Sequence, residues 1–289
     1  MHTFQPAQIV RRFPLTAFFV WFFTVGQAIV FVPLLARTVY GVMLPSSPFL
    51  VAGAFVGLLL PAVGVTWITD GRAGARALFR RMLAFDVRPA WYALVVVGVP
   101  LLSVAAVAAG AGWTTASGPA VAWAFALGLL HLVVVFATVN WAEEAAWMGF
   151  VQARLQGRHG PLRGALLTGP VFAFGHISQL IGDSVSATLT LLALMIVICI
   201  PFRALLGWIY NRTGSIALAG LVHASANATA AGSIVGAGLL DRLYPGAGHG
   251  GVVIPLLAVV GLVVLAATRG RLGLARRPSL TPLPATVPS

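Results

Sequence analysis

Eight windows of about twenty mainly apolar residues follow one another along the chain, near 13–36, 48–69, 90–110, 121–150, 164–181, 187–209, 214–238 and 251–268. In lipid, backbone N–H and C=O groups must be paired within the segment, so runs of this length cross the membrane as helices. The expected fold class is therefore all-α, a polytopic transmembrane helix bundle of about eight spans. Only 8% of the residues are charged, against roughly a quarter in soluble domains, so little chain remains for a separate soluble domain. The first run follows "RRFPLT" and is too long for the apolar core of a secretory signal, so it reads as an uncleaved span.

All 18 basic residues are arginine, and their distribution orients the bundle. With both termini cytoplasmic, Arg11, Arg12, Arg72, Arg76, Arg80, Arg81, Arg88, Arg154, Arg158, Arg163, Arg212, Arg269, Arg271, Arg276 and Arg277 fall inside. Arg203 lies near the inner end of its span, and only Arg37 and Arg242 fall outside. This is a strong positive-inside pattern. It accounts for the net charge of +12 without a nucleic-acid partner. "DGRAGARALFRRMLAFDVRP", after the second span, reads as an amphipathic interfacial piece resting on an anionic inner leaflet. The single cysteine, Cys199, rules out a disulfide framework. The expected location is a cell inner (plasma) membrane, multi-pass, and the Ala/Gly/Val-rich, lysine-free composition suggests a bacterial source. The chain divides into N-terminal spans (1–69), a core (70–236), a C-terminal span (237–269) and a disordered basic, Pro-rich tail (270–289).

Two of the six acidic residues, Glu143 and Glu144, stand side by side in "NWAEEAAWMGF", inside the fourth apolar run. Ionisable groups at membrane depth are costly and mark function by default. Two other runs supply partners: His176 in "FAFGHIS", and His223 with Asn227 in "HASAN". At about 1.5 Å per residue, Glu143 lies about 10 Å inside Phe150, His176 about 18 Å inside Gly164 and His223 about 13 Å inside Gly214. These depths agree well enough for one shared cavity. Phe172 and His176 share a helix face, as do His223 and Asn227, whereas adjacent glutamates diverge by about 100°. One glutamate therefore serves the cavity and the other is tied elsewhere. A carboxylate with a histidine positions and deprotonates a water, and a second histidine with an asparagine donates to an oxyanion. Glu143, His176 and His223 are also the residues that would hold a divalent metal such as zinc. No His-Glu-x-x-His helix is present, however, so no cofactor is required. His131 reads as structural, Asn140 and Asp183 as helix-end or packing residues, and Trp141 and Trp147 as packing.

From about Asp70 to Thr229 the sequence resembles the CAAX-protease and bacteriocin-processing (CPBP, or Abi) family of intramembrane peptidases, which includes the type II prenyl endopeptidases. "EEAAWMGF" stands where that family has EExxxR, "FAFGH" matches FxxxH, and "HASAN" matches HxxxN. The resemblance implies an endopeptidase cutting a membrane-associated peptide or protein near the inner leaflet. It implies Glu143 as general base, His176 as its helper on the water, His223 and Asn227 at the oxyanion, and Glu144 in support. Such enzymes are described as glutamate-type, though long labelled metalloproteases. One position departs: Met148 replaces the motif arginine, four residues after Glu144. Arg203, about 9 Å inside Ile209, is expected to supply the missing counter-charge. Competing readings are a catalytically lapsed membrane scaffold, suggested by Met148, and a transporter-like protein. The latter lacks the paired broken helices of two matching halves.

Overall fold

The computed structural model of the protein describes residues 6–230, 236–246 and 248–274. Among these every regular element is helical. In chain order they are α1 (Pro6–Arg12), α2 (Pro14–Tyr40), α3 (Ser47–Met82), α4 (Pro89–Ala111), α5 (Gly118–His159), α6 (Pro161–Gly175), α7 (Ile177–Leu180), α8 (Val185–Thr213), α9 (Ile216–Ala230), α10 (Leu239–Leu243) and α11 (His249–Ala267). Prolines open α2, α4 and α6, where a missing N–H costs nothing. Gly41 and Gly214 close α2 and α8 in the left-handed conformation.

Six helices, α2, α3, α4, α5, α8 and α11, are long and apolar enough to cross a membrane. Two of the eight expected spans are shorter among the described residues. The 164–181 window is α6 and α7, interrupted at His176 (φ −99°, ψ 9°), and the described part of the 214–238 window holds α9, with 231–235 outside the described residues. α9 packs inside the bundle, while α6 packs on α8 with Leu162, Leu166, Leu167 and Phe174 exposed on its outer face; at the break the Gly175 carbonyl accepts from Gln27. The arginine-rich piece after the second window is set off from the apolar part of α3 by a non-helical break at Gly71 (φ 67°, ψ −166°), beyond which helix resumes as far as Met82. The expected tail falls outside the described residues from 275 onward, and Arg276 and Arg277 fall there with it.

The packing is inverted relative to a soluble protein. Large apolar side chains such as Leu101, Val197 and Leu262 are more than half exposed around the perimeter. Polar groups such as Glu144, Gln152 and Arg203 are fully buried. An aromatic cluster seats α2 and α6 on α5: Phe18 meets Phe150 at 5.0 Å between ring centroids, and Trp147 meets Phe22 edge-on at 5.2 Å and Phe172 at 5.5 Å. Where α2 crosses α3, a Cβ on Gly57 would lie 2.7 Å from the Gly26 Cα, so only glycine permits this approach. It brings Gln27 against the site.

The arginines gather at one end. Arg11 donates to the Ile68 carbonyl, Arg154 pairs with Asp70, and Arg81, Arg158 and Arg271 line one surface pocket. Arg37 lines a groove with Met43, Ser46 and Ser178 at the opposite end.

Candidate active site

Helix α5 holds the two glutamates in an unusual winding. Residues Phe136–Asn140 and Ala145–Gln152 form π turns on either side of a short α turn, Trp141–Glu144. Mixing the two averages roughly four residues per turn. Asn140, Glu144, Met148 and Gln152, spaced by four, consequently form one inward stripe, and all four are fully buried. Such wide turns recur at functional sites.

Arg203 of α8 lies along this stripe. Its Nη1 donates to both oxygens of Glu144 at 2.8 Å, its Nε donates to Gln152 Oε1 at 2.9 Å, and Nη2 lies 3.8 Å from the Met148 sulfur. Gln152 in turn donates to the Arg203 carbonyl at 3.0 Å. The guanidinium also stands 5.3 Å from the centre of the Phe172 ring. The counter-charge absent at position 148 is thus present, delivered from another helix into the same space. A buried ion pair needs this completeness, because a lone buried charge is far costlier than a pair with all its hydrogen bonds made.

Glu144 is saturated on the other side as well, since His223 Nδ1 stands 3.1 Å from its Oε1. Glu143 is placed differently. Its Oε2 accepts from Asn140 Nδ2 at 3.0 Å and lies 3.6 Å from His223 Nδ1. No side chain among the described residues bonds its other oxygen, and the carboxylate is 17% exposed where that of Glu144 is 0%. The two neighbouring acids are therefore sorted by surroundings, one locked and one presented.

Glu143, His176, His223 and Asn227 all line a cavity of about 260 Å³, walled by Phe172, Phe202, Met195 and Leu50. His176 sits at the break between α6 and α7, and its Nδ1 donates to the Phe172 carbonyl at 2.8 Å. That fixes the tautomer and leaves Nε2 as the nitrogen able to accept from a water. Phe172 packs on both histidines, 4.7 Å from His176 and 5.7 Å from His223 between centroids. Asn227 Nδ2 donates to Asn140 Oδ1 at 3.2 Å, keeping its second N–H.

All seven residues singled out from the sequence, Glu143, Glu144, Phe172, His176, Arg203, His223 and Asn227, come together here. Two others were passed over. Asn140 is not a helix-end residue; it joins Asn227 to Glu143. Gln152 clamps Arg203. The four-residue spacing from Asn140 to Gln152 was the available signal. His131 is buried away from the cavity, and Asp183 is exposed between α7 and α8. Among the described residues no three of His, Cys, Asp and Glu are arranged to hold a metal ion. Glu144, which lies outside the expected donor set of Glu143, His176 and His223, is engaged by Arg203 and His223.

Residues 124–229, the segment from α5 to α9 that carries every residue of this cluster, match the family model described as type II CAAX prenyl endopeptidase Rce1-like. No curated protein matches the chain.

Proposed function

We propose, taking as premise that residues 124–229 are an Rce1-like domain of the type II CAAX prenyl endopeptidases and so of CPBP-type intramembrane peptidases, that this multi-pass membrane protein hydrolyses a peptide bond of a membrane-associated peptide or protein. Glu143 accepts the proton of an attacking water, and His176 Nε2 orients that water. His223 and Asn227 donate to the oxyanion of the tetrahedral intermediate. His223 meets Glu144 through Nδ1, so its contribution to the oxyanion comes from Nε2 and requires a proton there. Glu144 and Arg203 hold His223 in place without touching the reacting atoms.

The observation that carries this reading is the asymmetry of the glutamates. A carboxylate that only stabilised the fold would be saturated like Glu144, whereas Glu143 turns a free oxygen into the cavity beside His176. The lapsed-scaffold reading drew on Met148, and Arg203 supplies the charge that Met148 lacks. The test is cleavage of membrane-tethered peptides by purified protein in liposomes, comparing wild type with Glu143→Gln and His223→Ala. Cleavage that survives both substitutions would refute the assignment.

A further inference from the structure

The cavity around Glu143 is sealed toward the arginine-rich end. On that side residues 144–152 of α5, 201–207 of α8 and 215–220 from the start of α9 are buried without exception. The layer formed by Glu144, Arg203 and Gln152 lies across the way. Helix α5 also runs on to His159, so Glu143 stands about 24 Å from its end.

Toward the opposite end the space continues. A void of about 40 Å³ between α2, α3 and α5 shares Glu143 and His176 with the cavity. A groove of about 580 Å³ beyond it reaches Arg37 and Ser46. Leu50 and Gln179 border all three, so the three spaces adjoin in a line from Glu143 to Arg37, and a chain passing along it must widen the middle void.

Gln27 lines this middle void. It is only 8% exposed, and its Nε2 donates to the Gly175 carbonyl at 3.1 Å, which fixes the amide orientation. Its Oε1 is buried with no partner among the described residues. A buried acceptor without a donor is unfavourable by about 1–3 kcal/mol, and an extended peptide offers an N–H at every non-proline residue.

We infer that the substrate reaches Glu143 as an extended peptide threaded from the Arg37 end of the bundle, with one of its backbone N–H groups bonded to Gln27 Oε1. This rests on the peptidase reading for its chemistry. By the positive-inside rule the Arg37 end faces away from the cytoplasm. The bond cut therefore belongs to a segment presented from the outer side, not at the inner leaflet.

The experiment uses the full chain with its only cysteine replaced (Cys199→Ser), adding Gln179→Cys or Met195→Cys, with Arg158→Cys marking the arginine-rich face. A membrane-impermeant methanethiosulfonate is applied to right-side-out and inside-out vesicles. Gln179→Cys and Met195→Cys are expected to react from the face opposite Arg158→Cys. Reaction from the same face, or from neither, overturns the route. Labelling reads access without catalysis, so this result is separate from whether the chain is a peptidase. In the cleavage assay, Gln27→Met, which keeps the volume and removes the acceptor, is expected to raise KM about tenfold with kcat held. An unchanged KM, or a loss confined to kcat, overturns the Gln27 contact.

Discussion

Arg203 and Glu144, 59 residues apart in sequence, meet at 2.8 Å with both side chains wholly buried. The guanidinium arrives from α8 beside Met148, four residues along α5 from Glu144, so one cation serves the carboxylate from a neighbouring helix.

Removing that cation is expected to be severe. Arg203→Met leaves a buried carboxylate unpaired and should destabilise the protein by about 3–5 kcal/mol. Met148→Arg alone sets a second cation beside the first and should also destabilise it. The double variant, Arg203→Met with Met148→Arg, restores one cation to the same space. Thermal unfolding in detergent should show recovery in the double variant; additive losses would argue that the pair is not exchangeable.

The two glutamates should separate in their effects. Glu143→Gln keeps the Asn140 contact but cannot take a proton, so it should lower kcat by about 10²–10⁴-fold with little change in melting temperature. Glu144→Gln disturbs Arg203 and His223 together and should lower stability as well as activity. Equal profiles for the two would undo the division of roles.

Asn140→Ala removes the link between Asn227 and Glu143. Losing a hydrogen bond to a charged group, about 1.5–3 kcal/mol, predicts a fall in kcat of about 10–100-fold at nearly constant KM. Steady-state kinetics with a tethered peptide checks this, and an unaltered kcat would return Asn140 to a packing role.

Chelation should leave cleavage unchanged, because among the described residues no three of His, Cys, Asp and Glu assemble a metal site. Activity lost to a chelator and regained with zinc would show that a donor set forms which this arrangement lacks.

The helical class, the membrane-length runs and the seven-residue cluster were legible because hydropathy and charge act locally and a buried ionisable residue stands out against an apolar background. The two short helices were not. A window of apolar residues looks alike whether it faces lipid or protein, and only packing shows that α6 breaks at His176. The end of α5 was not legible for a related reason. The apolar run ends near Phe150, but the hydrogen-bonded helix continues through Arg154 and Arg158, whose polarity says nothing against helix. Asn140 reads as a helix-end or packing residue and Gln152 does not stand out when polar residues are judged by type, whereas here they matter through their four-residue spacing. The expectation of cleavage near the inner leaflet drew on helix depth, which carries no information on which side of Glu143 the neighbouring helices close.

The wide winding of α5 also bears on how this segment tolerates insertions and deletions. A π turn holds a spare residue compared with an α turn, so deleting one residue between Ala145 and Gln152 can be absorbed by tightening the coil, leaving Arg154 and Arg158 in place at the helix end. That absorption is complete only where the lost residue is the spare one; elsewhere in the segment the residues after the deletion rotate relative to Glu144, and Gln152 leaves Arg203. Such a variant would therefore still insert and fold its helix while losing the alignment that holds Glu144 and, through it, His223.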